Sequence, residues 1–144
     1  MASGAREEAY HWLTAGADLP TVVSLDSKVR DGIFTYTTVY AGLDAAARFA
    51  ELFGEEELAS RYRQAAEEIK AATLDYLWDE ERGHFLRMIT VDKNGTIQKD
   101  PTLDSSVCAL FQFGVLSAHD PRVKRTMQAL EETLWVKTSI GGMR

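Results

Sequence analysis

The sequence predicts an all-α fold built from antiparallel helix pairs, with one small β-hairpin. Apolar residues recur every three or four positions through most of the chain, as on the buried face of a helix. This period is interrupted only briefly at Gly54, so the helices on either side are expected to be antiparallel neighbours. It is lost for about twenty residues around Asn94-Gly95, a pair typical of hairpin turns.

Residues 1–30 contain one predicted helix and one irregular segment. Ser3 can act as the N-cap of a helix that runs to Thr14, with Glu7 and Glu8 near its positive end. Residues 16–30 hold Pro20 and few strong helix formers, which predicts irregular chain.

Two longer amphipathic helices follow. The first ends at Gly54, and its buried stripe is predicted to comprise Val39, Leu43, Ala46, Ala47, Ala50 and Phe53. The second is predicted to bury Leu58, Tyr62, Ala65, Ile69, Ala72 and Tyr76. Glu55, Glu56 and Glu57 favour its N-terminus because acidic side chains there interact favourably with the helix dipole.

Extended chain and two shorter helices complete the pattern. Residues 84–90 and 96–99 flank the turn sequence Asp92-Lys-Asn-Gly95 and predict a hairpin. Helix returns from Asp104 to Phe113. Asp120 and Pro121 then predict the N-cap and the first residue of a last helix, whose buried stripe comprises Val123, Met127, Leu130 and Leu134.

Composition restricts the classes of function. The 144 residues, 45% of them apolar, are enough for one domain with a real core. A net charge of −6 without a Lys/Arg run argues against nucleic acid as a partner, whereas neutral sugars need no charge match. No apolar run is long enough to span a bilayer and the N-terminus lacks a signal-peptide core, so we expect no membrane partner and a cytoplasmic location. The single cysteine, Cys108, lies among apolar residues and is predicted to be a buried structural thiol in a reducing compartment.

Several blocks of residues, in order along the chain, resemble one family of enzymes. The segment Gly32-Ile-Phe-Thr-Tyr-Thr-Thr-Val-Tyr-Ala-Gly-Leu43 is similar to a turn-and-helix segment of glycoside hydrolase family 15, the glucoamylase-like and glucodextranase-like enzymes. The resemblance continues through residues 46–54, 62–69 and 77–81 and reaches Gly141-Gly-Met-Arg144. It implies a role in carbohydrate metabolism.

The resemblance also implies an incomplete barrel. Family members have an (α/α)6 barrel, a toroid of six helical hairpins, in which loops between paired helices form the sugar pocket. Such a barrel needs twelve helices, whereas this chain is long enough for about five. We therefore expect residues 1–144 to form a single, partial (α/α)6 toroid-like domain, in which residues 1–30 are divergent and residues 31–144 are family-like.

A reaction is implied as well, the hydrolysis of α-glucosidic bonds in oligo- or polysaccharides with inversion. Inverting enzymes need a carboxylic acid that protonates the leaving oxygen and a carboxylate base that activates water. The family's acid lies just before the Gly-Ile-Phe-Thr-Tyr segment, where this chain has Ser27 at the tryptophan position and Lys28 at the acid position. The family's base lies beyond residue 144. The chain is therefore expected to lack both catalytic carboxylates, and neither a cofactor nor a metal is implied.

Other carboxylates lie in similar sequence contexts. Residues 77–83, Leu-Trp-Asp-Glu-Glu-Arg-Gly, copy the missing acid motif, but a similar run in the family forms a structural turn. We interpret it as a helix end with Trp78 packed on the core and the acidic side chains in solvent. Asp26 and Asp31 are closer to the lost motif, although a displacement of one or two residues moves a carboxylate by several ångströms.

One substrate contact is implied by the resemblance. Arg144 matches a family arginine that reaches sugar hydroxyls after a small-residue turn, here Gly141 and Gly142. A frayed C-terminal arginine is the alternative interpretation.

Aromatic residues and histidines give weaker indications. Stacking on a sugar face and packing in the core are both open to Trp12, Tyr36, Tyr40 and Trp135. The histidines, His11, His84 and His119, have no metal-ligand spacing.

Two functions of different class remain. The chain is either part of a glucoamylase-like hydrolase that acts on an α-glucan or oligosaccharide, or a non-catalytic α-helical module that binds a glycan or a protein. Lys28 separates them, since a glutamate there would favour catalysis. In both cases an incomplete barrel is expected to leave stripes such as Val123 to Leu134 partly open, which predicts self-association or marginal stability.

Overall fold

A pair of long helices is the largest unit of the fold. The computed structural model describes residues 32–91, 94 and 96–142, so the helix predicted from Ser3 to Thr14 and the irregular segment after it lie outside the described residues. Helix α1 spans Ile33–Leu52 and helix α2 spans Glu56–Leu77. Gly54, at φ 75°, turns the chain between them, and the amide of Glu55 donates to the carbonyl of Ala50 at 2.9 Å. The predicted helix end at Gly54 and the antiparallel pair are confirmed.

Small residues let α1 and α2 pack closely. Their shared buried cluster comprises Leu43, Ala46, Ala47, Ala50, Ala59, Tyr62 and Ala66. Arg63 pairs with Glu51 across the two helices. Two members of the predicted stripes are exposed, Phe53 at 62% and Tyr76 at 37%. Five more are only half-buried, namely Val39, Leu58, Ala65, Ile69 and Ala72. Phe53 already lies beyond the last turn of α1, which explains why the helical period no longer places it on the core.

Two small antiparallel hairpins follow α2. Strand β1, Trp78–Asp79, pairs with β2, His84–Phe85. Strand β3, Ile89–Val91, pairs with β4, Ile97–Lys99, in the register Ile89 to Lys99. The second hairpin is the predicted one. The predicted extended run over residues 84–90 is divided, because the chain bends at Arg87 and Met88 bridges Gly32 at the start of α1.

Two capped helical segments complete the described chain. A 3₁₀ helix, Ser105–Cys108, leads into α3, Ala109–Gln112, and the last helix α4 spans Pro121–Leu134. The side chains of Asp104 and Asp120 accept hydrogen bonds from the amides two residues on, each at 2.8 Å. The predicted cap at Asp120 is confirmed, and so is helical structure after Asp104.

The main core lies where α4 meets the hairpins and the start of α1. Its fully buried side chains include Ile33, Leu77, Phe85, Leu86, Val107, Leu110, Val123 and Leu130. The stripe from Val123 to Leu134 was expected to be partly open. This is wrong for Val123 and Leu130, which are buried where strand β2 lies against α4, whereas Met127 and Leu134 are half-buried. The exposed large apolar side chains lie elsewhere, with Phe49, Leu52 and Phe53 at the far end of α1.

The predicted buried thiol is only half-buried. The thiol of Cys108 lies 3.7 Å from the sulfur of Met127, and burial raises its pKa. A raised pKa disfavours the thiolate, which agrees with a structural role.

Thr126 joins α4 to the first hairpin, and its replacement provides a test of this core. Its hydroxyl accepts from the buried amide of Phe85 at 3.0 Å and donates to the carbonyl of Arg122 at 2.8 Å. Thr126→Val leaves that amide without an acceptor, so we expect a loss of about 1–3 kcal/mol in the free energy of unfolding, measured by urea denaturation. Thr73→Val is the matched control, because the equally buried Thr73 hydroxyl only donates to the carbonyl of Ile69 in its own helix. Equal losses in the two variants would contradict this assignment.

Candidate functional site

The candidate site is the entrance to α1, where two distant parts of the chain meet. The amide of Ile33, the first residue of α1, donates to the carbonyl of Arg87 at 2.8 Å. Gly32 forms an antiparallel bridge with Met88. Since α1 and α2 are antiparallel, this entrance lies at the same end of the helix pair as the hairpins that follow α2. Loops that connect helix ends on one side of such a pair are natural walls for a ligand site.

Most of the residues discussed for the site in the sequence lie outside the described residues, including the single predicted substrate contact, Arg144. These are Asp26, Ser27, Lys28, Asp31 and Arg144, together with Trp12 and His11. Two of these residues, Asp31 and Lys28, are close in sequence to Gly32, the first described residue. Asp31 directly precedes Gly32 at the bridge, and Lys28 lies only four positions before it.

An ionic cluster lies beside the entrance. Arg87 donates through Nε to Oδ2 of Asp100 at 2.9 Å, and its Nη2 lies 2.8 Å from the same oxygen. Its Nη1 lies 3.8 Å from Oδ2 of Asp104. Hydrogen bonds from Thr102 and then from Arg87 lower the pKa of Asp100 to about 2. Hydrogen bonds from Ser106 likewise lower the pKa of Asp104.

These two aspartates were not singled out by sequence reasoning. Asp104 carries a local signal, since an aspartate before Ser105-Ser106 is a typical N-cap. Asp100 and Arg87 carry none, because their pairing joins residues 13 positions apart. Both carboxylates are ionised near neutral pH and hydrogen-bonded, so they are poor proton donors.

The motif Leu77 to Gly83 forms the tight turn of the first hairpin. Trp78 packs on the core, as expected, with its ring edge-on to that of Phe85 at 5.1 Å. The expectation that the acids lie in solvent is wrong for Asp79, whose side chain is 1% exposed. One of its oxygens accepts from the amides of Glu81 and Arg82, at 3.1 and 3.2 Å.

Cations hold the other oxygen of Asp79. It accepts from Arg82 Nη1 at 2.7 Å, and Lys99 Nζ lies 3.7 Å away. Burial alone would raise the pKa of Asp79, but the hydrogen bonds from Arg82 and the charge of Lys99 outweigh it, so the pKa is lowered. A general acid needs the opposite shift. The motif is therefore a structural turn, as interpreted, although the side chain of Asp79 is buried and not in solvent.

The predicted stacking aromatics have different surroundings. Tyr36 is 8% exposed and belongs to the core, and Tyr40 is half-buried between the two apolar clusters. Burial, followed by the charges of Glu67 and Asp44, raises the pKa of Tyr40. Trp135 is 49% exposed. Phe34, which sequence reasoning missed, is 52% exposed in the first turn of α1 and meets Phe113 edge-on at 5.7 Å.

The turn predicted before Arg144 is present. Gly141 and Gly142 have φ values of 66° and 123°, and the carbonyl of Gly142 accepts from the amide of Val136 at 2.7 Å. A side chain at Gly141 would meet the ring of Trp135 at 2.9 Å, so glycine is required there for two reasons. The ring of Trp135 thus lies against the turn that leads to Arg144.

Other surface and buried features lie away from this entrance or lack ligand geometry. A hollow of about 180 Å³ on α2 is lined by Arg61, Gln64, Ala65 and Glu68, none of them predicted for the site. His84 is 8% exposed, with Nδ1 3.0 Å from the carbonyl of Phe85. Within residues 32–91, 94 and 96–142, no three His, Cys, Asp or Glu side chains are grouped to hold a metal ion. No helix in the same part of the chain is long and apolar enough to cross a membrane.

Comparison with known proteins identifies relatives among enzymes that act on glycosides. The chain is 35% identical over 98 residues to the trehalase of Mycolicibacterium smegmatis (strain ATCC 700084 / mc(2)155), an alignment that covers 66% of the chain and 13% of the trehalase. It is 33% identical over 95 residues to the trehalase of Mycobacterium tuberculosis (strain ATCC 25618 / H37Rv), covering 66% of the chain and 12% of that protein. The chain thus spans about an eighth of the length of these relatives.

A solved structure agrees with these sequence matches. The fold is similar to that of a bacterial glucoamylase complexed with acarbose, with a TM-score of 0.61 and 26% identity over 75% of this chain and 18% of the glucoamylase. The similarity confirms the predicted fold class, a mostly helical part of an (α/α)6 toroid, and the glucoamylase-like resemblance. A family model described as the mannosylglycerate hydrolase MGH1-like glycoside hydrolase domain matches residues 4–139. The chain therefore belongs to the MGH1-like glycoside hydrolase domain family.

Proposed function

We propose that this chain is a segment of an inverting glycoside hydrolase whose parent cleaves α-glucosidic bonds in oligo- or polysaccharides, and that the chain itself lacks both catalytic carboxylates. The contact between Ile33 and Arg87 carries the proposal, because it fixes the start of α1, directly after the loop in which glucoamylase-like enzymes have their acid. At that position the chain has Lys28, whose ordinary pKa of about 10.4 makes it a poor proton donor near neutral pH.

The carboxylates near the entrance do not replace the missing acid. Asp79, Asp100 and Asp104 each accept from a backbone amide and lie beside a cation, and the pKa of each is lowered. Protonation of a leaving oxygen needs a carboxyl group that still holds its proton near neutral pH. These three aspartates therefore support the proposal that the chain carries no general acid among its described residues.

We propose a neutral oligosaccharide or α-glucan as the ligand of this region. The glucoamylase of similar fold was solved with acarbose, and a net charge of −6 is compatible with neutral sugars. Trp135 and Phe34 present half-exposed rings of the kind that stack on sugar faces. Arg144 follows the turn beside Trp135, and we propose that its guanidinium donates to sugar hydroxyls.

We further propose that residues 1–144 are one incomplete domain, divergent over residues 1–30 and family-like over residues 31–144. The apolar clusters support this, since Tyr40 and Ile69 pack against both of them. Cytoplasmic location is proposed on the single unpaired cysteine, Cys108.

Hydrolysis by the purified chain tests the missing acid. We expect no glucose release from maltose, maltotriose or trehalose by the unmodified chain or by the Lys28→Glu and Arg144→Ala variants. Lys28→Glu restores an acid but not the base, so it is expected to stay inactive. Turnover by the unmodified chain that Arg144→Ala abolishes would show that another carboxylate has taken over.

Binding, followed by amide chemical shifts in the same samples, tests the proposed ligand. Shifts around Trp135 on addition of maltotriose or acarbose, weakened in Arg144→Ala, are expected if the segment keeps its sugar contact. Arg48→Ala is the matched control, because the Arg48 side chain is 72% exposed on α1 and pairs only with Asp44 in the contacts described. Binding without turnover would also fit a glycan-binding module. No shift with either sugar would contradict the proposed ligand.

Self-association is expected through the exposed end of α1. Phe49, Leu52 and Phe53 are 59%, 80% and 62% exposed there. In sedimentation equilibrium at tens of micromolar, the chain should therefore exceed its monomer mass of 16.1 kDa, and Leu52→Lys with Phe53→Lys should restore the monomer. Gln64→Lys with Gln128→Lys is the control, since it adds the same charge at exposed polar positions on α2 and α4. A stable monomer in the unmodified chain would refute this expectation.

A further inference from the structure

The first turn of α1 has no cap of its own. Gly32 occupies the N-cap position and provides no side-chain hydrogen bond. The amides of Thr35 and Tyr36 donate to the carbonyl of Gly32, at 3.0 and 3.3 Å, but the amide of Ile33 points to Arg87. One of the otherwise unpaired amides at a helix start is thus satisfied by a residue 54 positions further along the chain.

The backbone of Arg87 is held in place by its own side chain. The guanidinium makes two contacts with Oδ2 of Asp100, at 2.9 and 2.8 Å. The amide of Asp100 in turn donates to the carbonyl of Met88 at 3.2 Å. Side-chain and backbone hydrogen bonds therefore both connect residues 87–88 to Asp100.

Both acidic partners of Arg87 are themselves fixed. Asp100 accepts from the amide of Thr102 at 2.9 Å, and Asp104 from that of Ser106 at 2.8 Å. The Arg87 and Asp100 side chains are only 35% and 22% exposed, so solvent weakens their attraction less than it would at the open surface. Arginine is suited to this role because its planar fork contacts a carboxylate through two nitrogens.

We propose that Arg87 is a positioning residue, which fixes Gly32 and the first turn of α1 by holding its own carbonyl against the Ile33 amide through its contacts with Asp100 and Asp104. This inference rests on the proposed function for the importance of this helix start, since Lys28, at the acid position, lies four positions before Gly32 in the sequence. It goes beyond that function by assigning the start of α1 to an ion pair outside the helix.

Amide hydrogen exchange, measured by NMR, tests the proposal in the intact chain. In Arg87→Gln we expect exchange of the Ile33 amide to increase about tenfold, while the amide of Leu130 in the core, a marker of global unfolding, is unchanged. Arg87→Lys should have an intermediate effect because lysine keeps the charge without the fork. Arg48→Gln, which breaks the exposed pair with Asp44 on α1, should leave Ile33 unchanged.

Asp100→Asn provides a second variant of nearly the same size, should Arg87→Gln fail to fold. The lowered pKa of Asp100, about 2 against 3.8, means that the pairing is present above pH 3.8 and is lost as the pH falls towards 2. The Ile33 amide shift should follow this titration in the unmodified chain and lose it in Asp100→Asn.

Two results would overturn the proposal. One is an Ile33 exchange rate in Arg87→Gln and Asp100→Asn equal to that in Arg48→Gln. The other is an increase at Ile33 that is matched by the same increase at Leu130. Failure of maltotriose to bind would instead reject the proposed ligand and leave the exchange result standing, so the two proposals are tested separately.

Discussion

The hydrogen bond between the Ile33 amide and the Arg87 carbonyl is the contact on which the arrangement of this segment depends. It joins the first turn of α1 to the chain that follows the hairpin of β1 and β2. Helix α1 starts after Gly32 without a side-chain cap, so its start is defined by a distant part of the chain, between β2 and β3. A single long-range hydrogen bond therefore determines where α1 begins.

Other polar contacts hold the two hairpins and α4 in place. Buried Asp79 holds the first hairpin turn through Arg82 and reaches Lys99 at the end of β4. Thr126 joins β2 to α4, while the ion pair of Arg87 and Asp100 joins the two stretches beside the entrance. Asp79 and Asp100 are paired and ionised, so they are poor proton donors. Among the described residues, these polar contacts therefore stabilise the fold around the entrance of α1.

The sequence was sufficient for features with local causes. Helical period, the break at Gly54 and the cap at Asp120 predicted the helices, and Asn94-Gly95 predicted the second hairpin. The first hairpin was missed because strands of two residues carry no period.

Features set by distant contacts were not predicted. Asp79 was expected in solvent, but its burial depends partly on the distant Lys99. The stripe on α4 was expected to be partly open, because nothing in the local sequence indicates that β2 packs against it. The Arg87 cluster likewise joins residues 13 or more positions apart. The predictions for Lys28 and Arg144 stay predictions, since both lie outside the described residues.

Replacement of Gly32 by alanine tests the contact between the start of α1 and Arg87 most directly. A side chain at Gly32 would meet the Arg87 carbonyl at 3.0 Å, whereas one at Gly42, on the exposed side of the same helix, would meet nothing within 4 Å. In urea denaturation we expect Gly42→Ala to stabilise the chain by up to about 1 kcal/mol, as alanine does inside a helix. Gly32→Ala should instead destabilise it, since the carbonyl is held by the Ile33 amide and has little room to move. Stabilisation by both substitutions would contradict the account, because it would show that the entrance of α1 is not tightly held against Arg87.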